Sequence, residues 1–238
     1  MHVAILTIHT DGSAFAQAWP RDGDKFVAVI EALRPAWDFS VFAVKDGVFP
    51  ADLMAFDGFI ITGSPASVHD EKPWIAMLLA QVRQISALGI PMFGACFGHQ
   101  AIAMALGGTV GPNPGGWILG RVDTTMNGTP IGLYAAHREQ VLAMPHSARA
   151  LGGNAACPIG SFALGHTILA TQYHPEMTPE IVAALVEHLD DALPGPVIAK
   201  ARASLDYPAE TGRMAQVIVD FPERASYESL ASKSIAVT

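Results

Sequence analysis

The chain has 238 residues, of which 50% are hydrophobic and 15% are charged, and its formal net charge at pH 7 is −8. Such a chain can bury a substantial core, as one large domain or as one domain with an appendage. Its Lys and Arg residues are not clustered, which excludes the usual basis for binding nucleic acid. Because no window approaches the roughly 18 apolar residues of a membrane helix, and the N-terminus lacks the features of a signal peptide, we expect a cytoplasmic protein that binds no membrane.

Strand-like and helical segments alternate along the first half of the chain. Their apolar periodicity and their Gly and Pro boundaries predict, in chain order, a strand at 2–8, a helix at 25–34, strands at 38–44 and 56–63, a helix at 71–89, a strand at 90–95 and a helix at 97–108. This alternation predicts an α/β fold with a mostly parallel central sheet flanked by helices.

Shorter strands and turns follow residue 108. Strands are predicted at 120–125, 161–165 and 167–174, and the turn at Gly165 and His166 is typical of a hairpin, which gives a small antiparallel β portion.

The last part of the chain is predicted to be helical. A helix is expected at 178–193, with Thr178 as its N-cap, and two further helices and a polar tail follow Pro194. We therefore divide the chain into a domain at 1–193 and a helical C-terminal extension at 194–238.

The stretch GACFGHQ at 94–100 places Cys96 between a predicted strand and a predicted helix, with glycines two residues to either side. This is the nucleophile-elbow pattern with cysteine in place of serine, in which a sharp turn presents the nucleophile at the carboxyl end of the sheet. The positive end of the helix dipole favours the thiolate there. An isolated buried cysteine is more often a packing residue, but the glycine spacing favours a nucleophile.

A nucleophile of this kind needs a base, and His174 in TQYHPEM is the best placed of the nine histidines. It lies at the end of a predicted strand, where α/β proteins bind ligands. In extended chain, residues i and i+2 face the same way, so Glu176 is expected beside His174 as the carboxylate that orients it. The alternative for His174 is a loop histidine with a structural hydrogen bond. His99 is a weaker candidate base, because it lies in the helix that follows Cys96.

Other roles for the cysteines are less favoured. A disulfide between Cys96 and Cys157 is possible but would be unusual in a cytosolic protein. Cys96 and His99 lack a second pair of ligands at a spacing that would complete a metal site, so we expect no metal and no cofactor.

GACFGHQ at 94–100 followed by QYHPE at 172–176 resembles the class I, triad-type glutamine amidotransferases. The likeness extends over about residues 1–190, where ITGSPASV at 61–68 is similar to the family's oxyanion loop and AHREQV at 136–141 to its glutamine-contacting loop. The resemblance implies a flavodoxin-like amidotransferase fold and hydrolysis of the γ-amide of glutamine through a γ-glutamyl thioester on a cysteine.

The resemblance also implies a role for each matching residue. Cys96, His174 and Glu176 correspond to the triad, and the backbone N–H groups of Gly63, Ser64 and Phe97 to the oxyanion hole. Those implied to bind the amino-acid end of the substrate are Gln100, His137, Arg138 and Glu139. Gln100 is alternatively an exposed helix residue.

Three positions depart from the family pattern. Ser64 replaces the second glycine of the usual Gly-Gly-Pro loop, Arg138 stands where glycine is frequent, and WILG at 117–120 lacks a common acidic residue. These changes affect substrate identity more than triad chemistry. The Arg138 guanidinium is a candidate to bind a carboxylate that a γ-glutamyl peptide has and glutamine lacks, and the alternative is a side chain that points into solvent.

Three functions remain open at this level. About 45 residues follow the amidotransferase-like region, too few for an ATP-binding domain, and no P-loop or dinucleotide motif is present. The chain is therefore expected to hydrolyse glutamine and pass ammonia to an unknown acceptor, with a separate synthetase subunit as a possible partner, or else to act alone on γ-glutamyl peptides or conjugates. A binding or regulatory module without activity is the third alternative.

Overall fold

The computed structural model describes the backbone of residues 1–235 and the side chains of residues 1–225. Its strands are β1 (His2–Thr7), β2 (Asp38–Ala43), β3 (Gly58–Ile61), β4 (Met92–Ala95), β5 (Thr109–Pro112), β6 (Ile118–Met126), β7 (Thr129–His137), β8 (Glu139–Ala143), β9 (Arg149–Gly152), β10 (Ser161–Leu164) and β11 (Ile168–Thr171). Its helices are α1 (Ala14–Gln17), α2 (Asp22–Glu31), α3 (Pro73–Leu88), α4 (Phe97–Ala105), α5 (Pro179–His188), α6 (Gly195–Ser204) and α7 (Thr211–Ile235).

Seven strands form the central sheet in the order β2-β1-β3-β4-β11-β10-β9. The first five of these run parallel, and the β11–β10–β9 pairs are antiparallel. Because β4 and β11 are parallel neighbours, the loops that follow them emerge at the same edge of the sheet. That edge carries Cys96 after β4 and the segment 172–176 after β11.

The two faces of the sheet are covered by different elements, as the alternation of side chains along each strand requires. Leu6 and Ile61 face the core formed with α3 and α4, whereas Ile5 and Ile60 face the core formed with α2, α7 and the β6–β7 hairpin. The sheet is therefore buried on both faces, and its strands are accordingly rich in β-branched and aromatic residues.

The C-terminal helices pack against the rest of the chain. Ile198 of α6 lies in a cluster with Leu119 and Val182, and Ile218 of α7 lies in the core beneath the sheet. At the surface, the Arg34 guanidinium contacts carboxylates of α7 at 2.6 to 3.2 Å.

The structure confirms the α/β class, the mostly parallel sheet, the antiparallel hairpin at Gly165 and the two helices after Pro194. The helix expected at 178–193 ends earlier, since α5 stops at His188. In the turn that follows, Leu189 and Leu193 pack beside α6. The predicted polar tail continues α7 as far as residue 235, and its residues 236–238 lie outside the described part of the chain.

The antiparallel portion is larger than predicted. The strand expected at 120–125 is the nine-residue β6, which pairs along its length with β7. The strands β5, β7, β8 and β9 were not predicted. The strand expected at 167–174 ends at Thr171, because the chain then bends so that the His174 N–H bonds the Tyr134 carbonyl of β7 at 2.9 Å.

Candidate active site

Cys96 forms the turn between β4 and α4 in a strained backbone conformation. Its φ is 49° and its ψ is −102°, which a non-glycine residue seldom adopts. Its N–H donates to the carbonyl of Thr171 at 2.8 Å, which ties the turn to the end of β11. The strain and this bond together hold the thiol at the carboxyl edge of the sheet.

The glycines on either side of Cys96 are required by close backbone packing. A Cβ at Gly94 would lie 2.6 Å from the carbonyl carbon of Gly98, and a Cβ at Gly98 would collide with the carbonyl oxygen of Ile61. The glycine spacing in the sequence therefore reflects the closeness of β3, β4 and α4 at this turn.

His174 and Glu176 lie together beside the cysteine, although His174 is three residues beyond the end of β11. The His174 Nδ1 is 2.7 Å from the Glu176 Oε1, and both side chains are buried. The carboxylate can only accept, so Nδ1 carries the proton and Nε2 is left on the side of the cysteine. Within the described residues, Nε2 has no hydrogen-bond partner.

The electrostatic environment favours a charged imidazole at His174. Burial lowers the pKa of His174, but the negative charges of Glu176 and Cys96 more than offset that effect and raise the pKa well above its ordinary value. An imidazolium beside Cys96 stabilises a thiolate, which is the reactive form of cysteine.

The backbone near Cys96 offers unpaired N–H groups. Phe97 is the first residue of α4, where N–H groups have no partner within the helix. A Cβ at Gly63 would lie 3.0 Å from the His174 ring and 3.5 Å from the Cβ of Cys96, so the loop after β3 approaches both groups. The Ser64 hydroxyl lies 3.2 Å from that of Thr10 and accepts from Ala66 N–H, and it thus belongs to the loop's own hydrogen bonds.

Three of the residues assigned to substrate binding from sequence come together behind the cysteine. Gln100 is buried, and its Nε2 donates to the Glu139 carbonyl at 2.9 Å, to which the His137 Nδ1 also donates at 2.9 Å. Burial lowers the pKa of His137 to about 4, so its ring is neutral. Arg138 is exposed on the β7–β8 turn, and only its carbonyl has a described bond, from Asn113 N–H at 2.8 Å.

Sequence reasoning missed one wall of the cleft. Cys96 and His174 open into a cavity of about 210 Å³ whose far side is formed by the segment 9–25, Met177 and α5. The side chains there include Phe15, Trp19 and Leu185, and the Phe15 ring stacks on that of His188 with centroids 4.5 Å apart. The one sequence signal for this wall is its position, since aromatic residues follow the carboxyl end of the first parallel strand.

A charged cluster lies in the same wall. The Asp22 carboxylate contacts the His9 Nδ1 at 3.0 Å and the Lys25 Nζ at 2.9 Å. Burial opposes ionisation of Asp22, but the hydrogen bond from His9 and the charge of Lys25 outweigh it and lower its pKa. The hydrogen bond to Asp22 in turn raises the pKa of His9.

A second cavity continues from the first. It encloses about 430 Å³ at the ends of β1 and β2, shares His9, Asp11 and Trp19 with the cavity beside Cys96, and is also lined by Arg21 and Lys45. The cavity beside Cys96 thus has apolar side chains such as Phe15 and Leu185, and the adjoining cavity has charged side chains such as Arg21 and Lys45.

The other cysteine has a different environment. Cys157 is buried and free, and burial raises the pKa of its thiol to about 12. Cys96 is also free. His99, the weaker candidate base, is buried with its Nδ1 3.3 Å from the Gln172 Oε1, and burial lowers its pKa to about 3.

The part of the chain that the structure describes contains no helix long and apolar enough to cross a bilayer.

Comparison with known proteins identifies relatives of two kinds. The sequence is 31% identical to gamma-glutamyl peptidase 2 of Arabidopsis thaliana over 181 residues, which cover 69% of this chain and 71% of that one. It is 33% identical to the glutamine-hydrolyzing GMP synthase of Aeropyrum pernix over 132 residues, which cover 50% of this chain and 24% of that one.

Solved structures share the fold. A glutamine amido transferase from Methylobacillus flagellatus superposes with a TM-score of 0.73 at 21% identity, covering 94% of each chain. A glutamine amidotransferase from Thermotoga maritima gives a TM-score of 0.70 at 17% identity. The family model for class-I glutamine amidotransferases matches residues 36–185, and the chain belongs to that family.

Proposed function

We propose that the protein hydrolyses γ-glutamyl amides through a thioester on Cys96, and that γ-glutamyl peptides are its principal substrates. Membership of the class-I glutamine amidotransferase family supports the chemistry. The observation that supports the choice of substrate is the cavity of about 210 Å³ beside Cys96 and His174. Its lining includes the apolar side chains of Phe15, Trp19 and Leu185, which an ammonia leaving group would not need.

The first half of the reaction forms the thioester. The Cys96 thiolate attacks the carbonyl carbon of the γ-amide, and the negative charge that develops on the carbonyl oxygen is stabilised by N–H groups of Phe97 and of the loop at Gly63 and Ser64. The C–N bond then breaks as His174 donates its proton from Nε2 to the departing nitrogen.

The second half releases glutamate. His174, now neutral, removes a proton from water, and the resulting hydroxide attacks the thioester carbonyl. The C–S bond breaks, which restores the thiolate beside an imidazolium, and Glu176 holds the ring in one tautomer throughout.

The proposed role of His174 as proton donor leads to an orientation for the substrate. A proton donor must lie within hydrogen-bond distance of the leaving nitrogen, so the leaving amine is placed on the His174 side of the thiol. Leu185, Phe15 and Trp19 line the same cavity as Cys96 and His174, and we place the leaving amine against them. A leaving amine with an apolar side chain fits this wall, and ammonia would make no contact with it.

The likeness to the Aeropyrum pernix GMP synthase favours a second candidate function. In that alternative the substrate is glutamine, and the ammonia passes to a synthetase on a separate subunit. The chemistry at Cys96 is the same in both cases, and the leaving group differs.

One set of assays separates the candidates. The purified chain is incubated with glutamine and with γ-glutamyl dipeptides, and ammonia, free glutamate and the released amino acid are measured, with Cys96→Ala as the blank and Cys157→Ala as the matched control. We expect glutamate release from the dipeptides at a higher kcat/KM than from glutamine. Preferred turnover of glutamine would support the amidotransferase, and inactivity on all substrates, persisting after candidate synthetase subunits are added, would support a binding module.

A further inference from the structure

Behind the thiol of Cys96, on the side away from the cleft, lies the side chain of Gln172. The residue is fully buried, and its Nε2 is 3.5 Å from the Cys96 sulfur. It is the first residue after β11, and its N–H donates to the Gly160 carbonyl at 2.8 Å, which fixes its backbone. The amide group is therefore held next to the atom that carries the negative charge in the thiolate form.

The orientation of this amide follows from its neighbours. The carbonyl oxygen of Glu139 can only accept a hydrogen bond, so the Gln100 atom 2.9 Å from it is the nitrogen. The same nitrogen is 3.2 Å from the Gln172 Oε1, which must then be the acceptor. The Gln172 atom that faces the sulfur is consequently the N–H donor.

His99 contacts the Gln172 amide from a second direction and is compatible with this orientation. Its Nδ1 is 3.3 Å from the Gln172 Oε1, and its ring packs against Phe162 with centroids 5.0 Å apart. An oxygen acceptor requires the proton on Nδ1, and the buried neutral ring then has a bare Nε2, which has no partner among the described residues. Two donors thus hold Oε1, and Nε2 of Gln172 is directed at Cys96.

We propose that Gln172 is a further catalytic residue, which donates a hydrogen bond to the Cys96 thiolate, and that His99 is a positioning residue that holds the Gln172 amide in the donating orientation. The thiolate is stabilised from the cleft side by His174 and from the buried side by Gln172. This inference rests on the proposed role of Cys96 as the nucleophile, but it does not depend on which amide is the substrate.

Other titratable groups lie near this sulfur or line the same cavity, and they are unchanged in the test. They are His174 with Glu176, the buried thiol of Cys157, and the charged side chains His9, Asp11, Asp22, Lys25 and His188 in the cleft wall.

The test measures how the reactivity of Cys96 depends on pH when no substrate is present. The rate of iodoacetamide alkylation at Cys96 follows the thiolate fraction, and Cys157 in the same sample serves as a cysteine that stays protonated. Gln172→Glu keeps the acceptor for His99 and Gln100 and replaces the donor by an oxygen. We expect its alkylation midpoint to rise by about one to two pH units, the size of a lost hydrogen bond to a charged group.

A matched control separates this effect from damage to the fold. Gln81 is also buried, and its amide donates to the Pro50 carbonyl, away from the cleft. We expect Gln81→Glu to lower the melting temperature by a similar amount and to leave the alkylation midpoint of Cys96 unchanged. Gln172→Met, which has no charge, should raise the midpoint in the same direction as Gln172→Glu.

His99 is tested by a pair of substitutions. His99→Asn keeps an N–H close to the position of Nδ1 and should retain most of the wild-type reactivity, whereas His99→Phe removes the donor and should raise the midpoint by a smaller amount than Gln172→Glu. A wild-type Cys96 that does not alkylate would contradict the proposed function itself. If wild-type Cys96 alkylates normally, and the midpoints of Gln172→Glu and Gln172→Met both lie within about 0.2 pH unit of the wild-type midpoint, this inference alone is overturned.

Discussion

The two sides of the cleft at Cys96 are built in different ways. On one side, the turn at Cys96 and the segment 172–176 are held by backbone strain, by glycines with no room for a side chain and by buried hydrogen bonds. On the other side, the segment 9–25 and α5 contribute side chains such as Trp19 and Leu185, which line the cavity and are partly exposed. In the proposed function, the first side carries out the reaction and the second contacts the leaving group.

This difference has a physical basis. A displacement of about 1 Å in a catalytic group is costly, and the backbone N–H groups of the proposed nucleophile Cys96 and base His174 are accordingly bonded to the neighbouring segments at Thr171 and Tyr134. The opposite wall needs shape and apolar area, which many side chains provide equally well. Substitutions on the triad side should therefore abolish turnover of every substrate, and substitutions in the wall should change the preference among substrates.

The largest effect is expected from loss of the nucleophile or its base. Cys96→Ala and His174→Ala should each lower kcat by at least about 10⁴-fold for glutamine and dipeptides alike, because the two groups act as a unit. Steady-state assays of glutamate release measure this effect. His146→Ala, at an exposed histidine, is the control, and selective loss of only one substrate in His174→Ala would contradict the shared mechanism.

Removal of the charge at Glu176 should have the next largest effect. In Glu176→Gln the carboxylate no longer offsets the burial of His174, so the pKa of His174 falls and the imidazolium is lost at lower pH. We expect kcat to drop by about 10²- to 10⁴-fold and the alkaline limb of the pH profile to move to lower pH. The control is Glu180→Gln, at an exposed position of α5. An unchanged alkaline limb would show that Glu176 does not set the charge of His174.

Truncation of the aromatic wall should give a smaller and selective effect. Trp19→Ala removes apolar contact with the leaving side chain, so kcat/KM for γ-glutamyl-phenylalanine should fall by about tenfold or more, while that for glutamine stays within about twofold. Tyr207→Ala, at an aromatic residue that is 64% exposed, serves as the control. Equal losses for both substrates would place the leaving group elsewhere.

The smallest effect is expected at Arg138. The sequence made its guanidinium a candidate for binding a substrate carboxylate, but the side chain is exposed on the β7–β8 turn and is absent from the described lining of the cleft. Arg138→Ala should therefore change kcat/KM by less than about twofold for peptides and glutamine. A selective loss for peptides would restore the original hypothesis.

The same contrast explains which features could be predicted from the sequence. The motif around Cys96 is local, since its glycines record backbone contacts within one turn, and the step from His174 to Glu176 spans two residues. Alternation of strands and helices likewise predicts the parallel sheet. These features depend on short-range patterns, which a single sequence displays directly.

The features that sequence analysis missed depend on contacts between distant residues. Trp19 and Leu185 line one cavity because β1 and β11 belong to one sheet, and no periodicity links their positions. Gln100 illustrates the same limit, since a polar residue on a short helix was expected either at the substrate or in solvent. Its burial follows from its bonds to Glu139 and Gln172, which belong to separate strands and loops.

The proposed mechanism requires that a γ-glutamyl group becomes attached to Cys96 during turnover, and this intermediate can be trapped. A γ-glutamyl dipeptide is mixed with the enzyme, the reaction is stopped with acid within the first turnover, and the protein is analysed by intact mass and peptide mapping. We expect one added γ-glutamyl group on the peptide that contains Cys96 and none on the peptide that contains Cys157. Glutamate release without any adduct on Cys96, or an adduct on another residue, would contradict the proposed mechanism.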